Sequence, residues 1–139
     1  MEPLERRMIL SGQIVHGQQL GRQLGFPTAN LELPDSHTDL PATGVYAAWA
    51  KLEDGTVHRS MVNIGFRPTV DAGHRLSIEA HLIGFEGELY GKPLELELVG
   101  KIRDERKMKS LEELKAQLEC DFKQILIEIL PRYVLLGST

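Results

Sequence analysis

Three glycines four residues apart, Gly17, Gly21 and Gly25, punctuate the segment His16-Gly17-Gln18-Gln19-Leu20-Gly21-Arg22-Gln23-Leu24-Gly25-Phe26-Pro27-Thr28-Ala29-Asn30. Glycine opens backbone angles closed to other residues and lets amide N–H groups approach an anion closely, so such a loop suits a phosphate. It is neither a Walker A nor a dinucleotide-binding loop: no Gly-Lys-Ser/Thr ending follows, and Pro27 with the stretch Leu31–Pro34 argues against a helix there. Read alone, spaced glycines more often make a flexible turn. Thr28 and Asn30 sharpen the phosphate reading, because on an extended backbone residues two apart project to one side. A hydroxyl and an amide carbonyl are hard oxygen donors that suit Mg²⁺ beside nucleotide phosphates. The alternative is a Pro-Thr-Ala-Asn turn whose side chains bond the local backbone.

The elements that must position these residues are strands. From Met8 to Ile102, short apolar or alternating runs are broken by Gly, Pro and Asp, which predicts strands at Met8–Val15, Gly44–Leu52, Val57–Ile64, Ser77–Phe85 and Leu94–Ile102. Leu94, Leu96 and Leu98 alternating with Glu95 and Glu97 give the cleanest strand signal. Glu53-Asp54-Gly55-Thr56 places Asp-Gly where a tight hairpin needs positive φ at two residues, so the second and third strands should pair antiparallel. The stretch Glu32–Thr43 reads as one long surface loop. After Lys109 the period changes. Leu111, Leu114, Leu118, Phe122, Ile125 and Ile129 fall on one helix face, Ser110 with Glu113 forms a capping box, and Pro131 marks the end. The expectation is a β-domain whose amphipathic helix, about residues 110–130, covers an open side or end of a barrel.

A chain of 139 residues with one cysteine and 42% hydrophobic content is sized for a single domain, taken here as residues 1–139. Cys120 has no internal partner for a disulfide, which fits a reducing compartment and makes the cytoplasm the default. A net charge of −4 and 6% aromatic content argue against a nucleic-acid binder. The longest apolar stretches, such as Val45–Ala50, are far short of the roughly 20 residues of a spanning helix, so no membrane partner is expected. The histidines at 16, 37, 58, 74 and 81 show no metal-ligand spacing, and a zinc cluster or a cysteine nucleophile is not indicated.

The segment Gly25-Phe26-Pro27-Thr28-Ala29-Asn30 resembles the signature of riboflavin kinases. The likeness continues in family order through Ser11–Gly17, Gly44–Ala47, Asn63–Thr69, Ile78–Leu82, Glu88–Gly91, Ile102–Glu105 and Ser110–Leu114, covering about residues 8–122. The resemblance, closest to the bacterial form, implies a six-stranded antiparallel Greek-key barrel over about residues 8–103 with the C-terminal helix. It implies Mg-ATP-dependent transfer of the γ-phosphoryl group to the 5′-hydroxyl of riboflavin, giving FMN and ADP, with Zn²⁺ or Mn²⁺ as other possible metals. Thr28 and Asn30 would hold the metal and, with Pro27, the nucleotide phosphates, while the loop of Gly17, Gly21 and Gly25 would close over the nucleotide. Glu79 matches the family's catalytic glutamate and would also touch the flavin. Phosphoryl transfer asks chiefly for positioning and charge neutralisation, so a carboxylate that orients the hydroxyl suffices.

On its strand Glu79 would share a side with Ser77, His81 and Ile83, opposite Ile78, Ala80 and Leu82. Lys101, Arg103, Arg106, Lys107 and Lys109 form a basic run whose plain reading is a solvated loop. In the family that segment is a flap near flavin and nucleotide, and Arg103 occupies its arginine position, which implies a flavin-binding role. Met108 stands where the family commonly has Phe, and Val70 replaces an aromatic that often follows Arg-Pro-Thr. The bacterial family also carries an N-terminal FMN adenylyltransferase module with a His-x-Gly-His motif. No such motif occurs here, so FMN rather than FAD is the expected product, and Leu4–Met8 resembles the end of an interdomain connection. The rival reading is a flavin- or nucleotide-binding barrel without catalysis.

Overall fold

The computed structural model describes residues 1–16, 25–34, 41–69 and 73–129. Six strands precede one helix: β1 (Glu2–Val15), β2 (Ala29–Glu32), β3 (Gly44–Leu52), β4 (Val57–Thr69), β5 (Gly73–Leu82), β6 (Pro93–Arg103) and α1 (Leu111–Glu128). The strands close into a ring in the order β1-β2-β5-β4-β3-β6, every neighbour antiparallel. Closure leaves no unpaired edge, and the alternation of side chains sends one set of residues inward. Leu10, Leu31, Val62, Ile78, Leu82 and Leu96 belong to this interior, together with the expected Leu94 and Leu98.

The five strands read from the sequence are all present, several longer than their apolar cores suggest, except that the strand expected to reach Phe85 ends at Leu82, where a turn at Ile83 and Gly84 follows. β1 begins at Glu2, and the residues resembling a connection fall at an irregularity of the β1–β6 ladder, where the register shifts between Pro3 and Met8. The sixth strand, β2, is not marked as a strand by its pattern. It has only four residues, Ala-Asn-Leu-Glu, too few to display a period. The Asp-Gly hairpin forms, with Leu52 C=O accepting from Gly55 N–H and Leu52 N–H donating to Thr56 O. This is a longer loop than a two-residue turn. Gly55 takes a φ of +89°, and Asp54 Oδ1 accepts from the Thr56 amide and hydroxyl. Gly17, Gly21, residues 35–40 of the long loop, and Pro131 lie outside the described residues.

The helix corrects an expectation. A closed ring has no open side, and α1 lies against the outer face of the wall instead of covering an end. Val45 and Ala47 of β3 and Met61 of β4 face outward into a second apolar layer with Ile125 and Ile129. β3 is therefore buried on both faces, which explains why Gly44–Leu52 is almost continuously apolar rather than alternating. Ser110 caps α1 by accepting from Glu113 N–H at 3.1 Å, while the Glu113 carboxylate reaches back to Lys109 N–H rather than to the cap itself. The last turn has no basic residue of its own. Arg59 of β4 supplies the cation, donating to Ile129 O at 3.1 Å.

One acid interrupts the helix's apolar side. Asp121 is 1% exposed, and Arg103 at the end of β6 grips it with Nε at 3.1 and 3.0 Å from its two oxygens and a terminal nitrogen at 3.0 Å. Gln117 adds a bond to the same carboxylate at 2.9 Å. A buried carboxylate is tolerable only when its charge and lone pairs are met, as here. Asp121→Ala should therefore lower unfolding free energy by about 3 kcal/mol by stranding Arg103, whereas combining Asp121→Leu with Arg103→Met should recover most of it in urea denaturation. A second constraint lies where β1 crosses β2. A Cβ on Gly12 would run into the Glu32 carbonyl. Gly12→Ala should cost about 1–3 kcal/mol, and an unchanged urea midpoint would show that the two strands can separate there freely.

Candidate functional site

Cross-strand register builds the site. Reading across the ring, Val15 is opposite Asn30, Asn30 opposite Glu79, Glu79 opposite Asn63, Asn63 opposite Val45, and Val45 opposite Arg103. Residues directly opposed on antiparallel strands share a face, so this row lies on one side of the wall. It is the outer side, because the flanking Leu31, Ile78, Ala80, Val62 and Ile64 point into the core. Glu79 thus stands on the face expected for it, with Ile78, Ala80 and Leu82 turned inward.

Two hollows meet at Thr28, one on this outer face and one bordered by the inward-facing Ile14, Ala80 and Leu82. The first, about 160 Å³, lies between the wall and the N-terminal half of α1: Asn63, Glu79 and Arg103 contribute polar groups, and Met61, Leu114 and Leu118 apolar ones. The segment after β6 closes its rim through Glu105, Arg106 and Met108, and Glu105 lies over Gly65 where a Cβ would meet its carboxylate. The second hollow is larger, about 690 Å³, and runs from His16 past Pro27 and Thr28 to the Phe85–Tyr90 turn. His16 stacks on Tyr90 with ring centroids 3.7 Å apart, and Glu88 accepts from the amides of Leu89 and Tyr90. The Thr28 hydroxyl faces Glu79 Oε1 at 3.5 Å, the outer limit of a hydrogen bond.

Asn30 is 4% exposed, and its Nδ2 is the buried side-chain polar atom without a partner among the described residues. Such an orphan is costly in a finished core and ordinary at a ligand site. His81 is half-buried beside Phe26 and Phe122, and this desolvation pushes its imidazole below the usual range, opposed by a 2.7 Å hydrogen bond to Pro27 O.

The structure therefore brings Thr28, Asn30, Glu79 and Arg103 to one face, with Pro27 in the second hollow and Gly25 at its turn with a φ of +89°. The Arg103 guanidinium is engaged by Asp121 and by the Asp104 carbonyl. Two more members of the basic run are likewise paired: Lys101 with Asp104, and Arg106 with Glu113 and Gln117. Sequence reasoning missed Asn63, Met61 and the helix residues Leu114 and Leu118 as pocket residues. Asn63 had a usable signal, since it is a polar residue in the β4 run on the opposite side from Val62 and Ile64.

The family model described as Flavokinase: Riboflavin kinase matches residues 4–127. The chain is 41% identical over 111 residues to the bifunctional riboflavin kinase/FMN adenylyltransferase of Haemophilus influenzae, covering 79% of this chain and 35% of that one. It is 39% identical over 113 residues to the RNA-binding riboflavin kinase RibR of Bacillus subtilis, covering 81% of this chain and 47% of that one. The crystal structure of riboflavin kinase from Trypanosoma brucei superposes with a TM-score of 0.67 at 21% identity, over 92% of this chain and 83% of that one, and shares the fold. The chain spans about a third of the length of the bifunctional relative. With a family model that runs from β1 into the last turn of α1, and with the wall, helix and paired hollows in place, the chain belongs to the riboflavin kinase family.

Proposed function

We propose that this chain, as a single kinase domain over residues 1–139, transfers the γ-phosphoryl group of ATP to the 5′-hydroxyl of riboflavin, giving FMN and ADP. The observation that carries the reading is Thr28 as the wall common to both hollows, within reach of Glu79. A phosphoryl donor on one side and an acceptor hydroxyl on the other meet there, and the proximity of the two reactants is most of what this reaction needs. The larger hollow suits the nucleotide, and the pocket under α1 suits the flavin. Glu79 orients the 5′-hydroxyl and accepts its proton as the hydroxyl oxygen bonds to the γ-phosphorus and the bond to the bridging oxygen of ADP breaks. Arg103 serves the flavin pocket as part of its wall.

Thr28 and Asn30 fit a Mg²⁺ ion through a hydroxyl and an amide carbonyl, both hard oxygen donors, and the unpartnered Asn30 Nδ2 is a buried N–H donor that suits a phosphate oxygen beside the ion. The ion, when bound with the nucleotide, supplies charge neutralisation on the phosphates. Substrate phosphates and water would complete its shell, as is usual for Mg²⁺ held by one or two protein oxygens.

The strand order supports a Greek-key barrel: β3, β4 and β5 are consecutive neighbours, and β6 returns by a long connection to lie beside β3. FMN is the proposed end product of this chain, in a cytoplasmic setting, with adenylyltransferase chemistry assigned to the other module of bifunctional relatives. The net charge of −4 and the ion pairs that occupy Lys101, Arg103 and Arg106 weigh against nucleic acid as a partner. No helix among the described residues is long and apolar enough to cross a membrane.

Incubation of the purified chain with riboflavin, ATP and Mg²⁺, followed by chromatographic separation of flavins, should show FMN only when metal is present. Glu79→Gln should keep its thermal midpoint and nucleotide affinity and lose about 100-fold or more in turnover. Binding of flavin and nucleotide without FMN would favour the non-catalytic barrel, and full activity in the variant would remove Glu79 from the chemistry.

A further inference from the structure

Thr28 carries the reading above, yet the sheet does not hold it. The ladder between β2 and β5 begins at Ala29 opposite Ala80, one residue beyond Thr28, and the preceding Pro27 has no N–H with which to join it. Something outside the ladder must fix this peptide.

His81 is placed to do so. It stands two residues beyond Glu79 on β5 and leaves the ring on the same outer face. Its Nδ1 lies 2.7 Å from the Pro27 carbonyl oxygen, the acceptor end of the peptide that continues into Thr28. A carbonyl oxygen only accepts, so Nδ1 carries the hydrogen and donates it. The ring is flanked by two aromatic groups that set its orientation. Phe26 meets it edge-on at 5.5 Å, and Phe122 of α1 lies at 6.2 Å, the two phenyl rings being 5.9 Å apart. Its backbone is held as well, because the fully buried Ser60 donates its hydroxyl to the His81 carbonyl at 3.0 Å. One residue thus links β4, the turn before β2 and the helix that roofs the acceptor pocket.

We infer that His81 is a positioning residue for phosphoryl transfer: by gripping the Pro27 carbonyl it fixes Thr28 at the wall shared by the two hollows, and through Phe122 it ties that wall to α1. The inference rests on the kinase reading. It assigns His81 no contact with either substrate; its effect is transmitted through Thr28, on the nucleotide side, more than through the flavin pocket.

Two substitutions separate the hydrogen bond from the packing. His81→Phe keeps an aromatic ring between Phe26 and Phe122 and removes the donor, whereas His81→Asn keeps a donor near the Nδ1 position and removes the ring. With the full chain, kcat and the KM for Mg-ATP and for riboflavin are measured beside the thermal midpoint. His81→Phe should lose about five- to tenfold in kcat/KM for Mg-ATP, the size of one hydrogen bond, with riboflavin KM within about twofold and a midpoint near that of the wild type. His81→Asn should recover most of the nucleotide kcat/KM while melting lower. If Phe is not accommodated, His81→Leu against His81→Asn gives the same contrast. A His81→Phe or His81→Leu enzyme with unchanged kinetics, or one altered only in riboflavin KM, overturns the inference and leaves the kinase intact. A wild-type chain that makes no FMN overturns the kinase reading first, and the role of His81 with it.

Discussion

The pairing of Asn30 with Glu79 between β2 and β5 is the constraint on which the site depends. Side chains alternate along a strand, so a slip of one residue would carry Glu79 into the core and bring Ile78 or Ala80 out. β2 has only four residues and three paired positions on each side, too few for the ladder alone to resist slippage. The interior settles it. Leu31 is 5% exposed and sits opposite Ile78 and Ile14, so the register that buries these three is also the one that presents Asn30 and Glu79 together on the outer wall. Hydrophobic packing on one face sets the geometry of the polar groups on the other.

Legibility in the sequence followed the physical signal at each element. The β6 leucines alternate because one of their faces looks into the core and the other does not, and the pattern gave the strand directly. The capping box located α1 to within a residue at its start. β2 was opaque as a strand, since four residues between two prolines carry no period. The covered outer face was also opaque, although its trace was present in the unbroken apolar run of β3, which reads as a strand buried on both sides once the helix is known to lie there. Of the site, Thr28, Asn30 and Glu79 were found through motif and resemblance. The alternation of β4 marks Asn63 as outward-facing, but only the register, which sets it opposite Glu79, shows that this part of the outer face lines a pocket.

The charged run from the end of β6 to the start of α1 shows why composition alone misleads. A run of lysines and arginines with two acids reads as a solvated loop. In three dimensions its charges are largely spent on neighbours: Lys101 on Asp104, Arg106 on Gln117 and Glu113, and Arg103 on a carboxylate that helical periodicity placed among apolar residues. The segment is a brace between wall and helix as well as the rim of the pocket.

The attachments of α1 are unevenly distributed. Asp121 is locked to Arg103, Ile125 and Ile129 are buried, and Arg59 holds the Ile129 carbonyl, whereas Leu111 is 54% exposed and Leu114 and Leu118 stand over a hollow. Local opening follows the weakest packing, so the helix has a gradient of stability rather than a single value. Its amides should exchange with solvent deuterium fastest in the turns over the pocket and slowest past Asp121, which makes the anchored end a fulcrum and the opposite end the part that yields first.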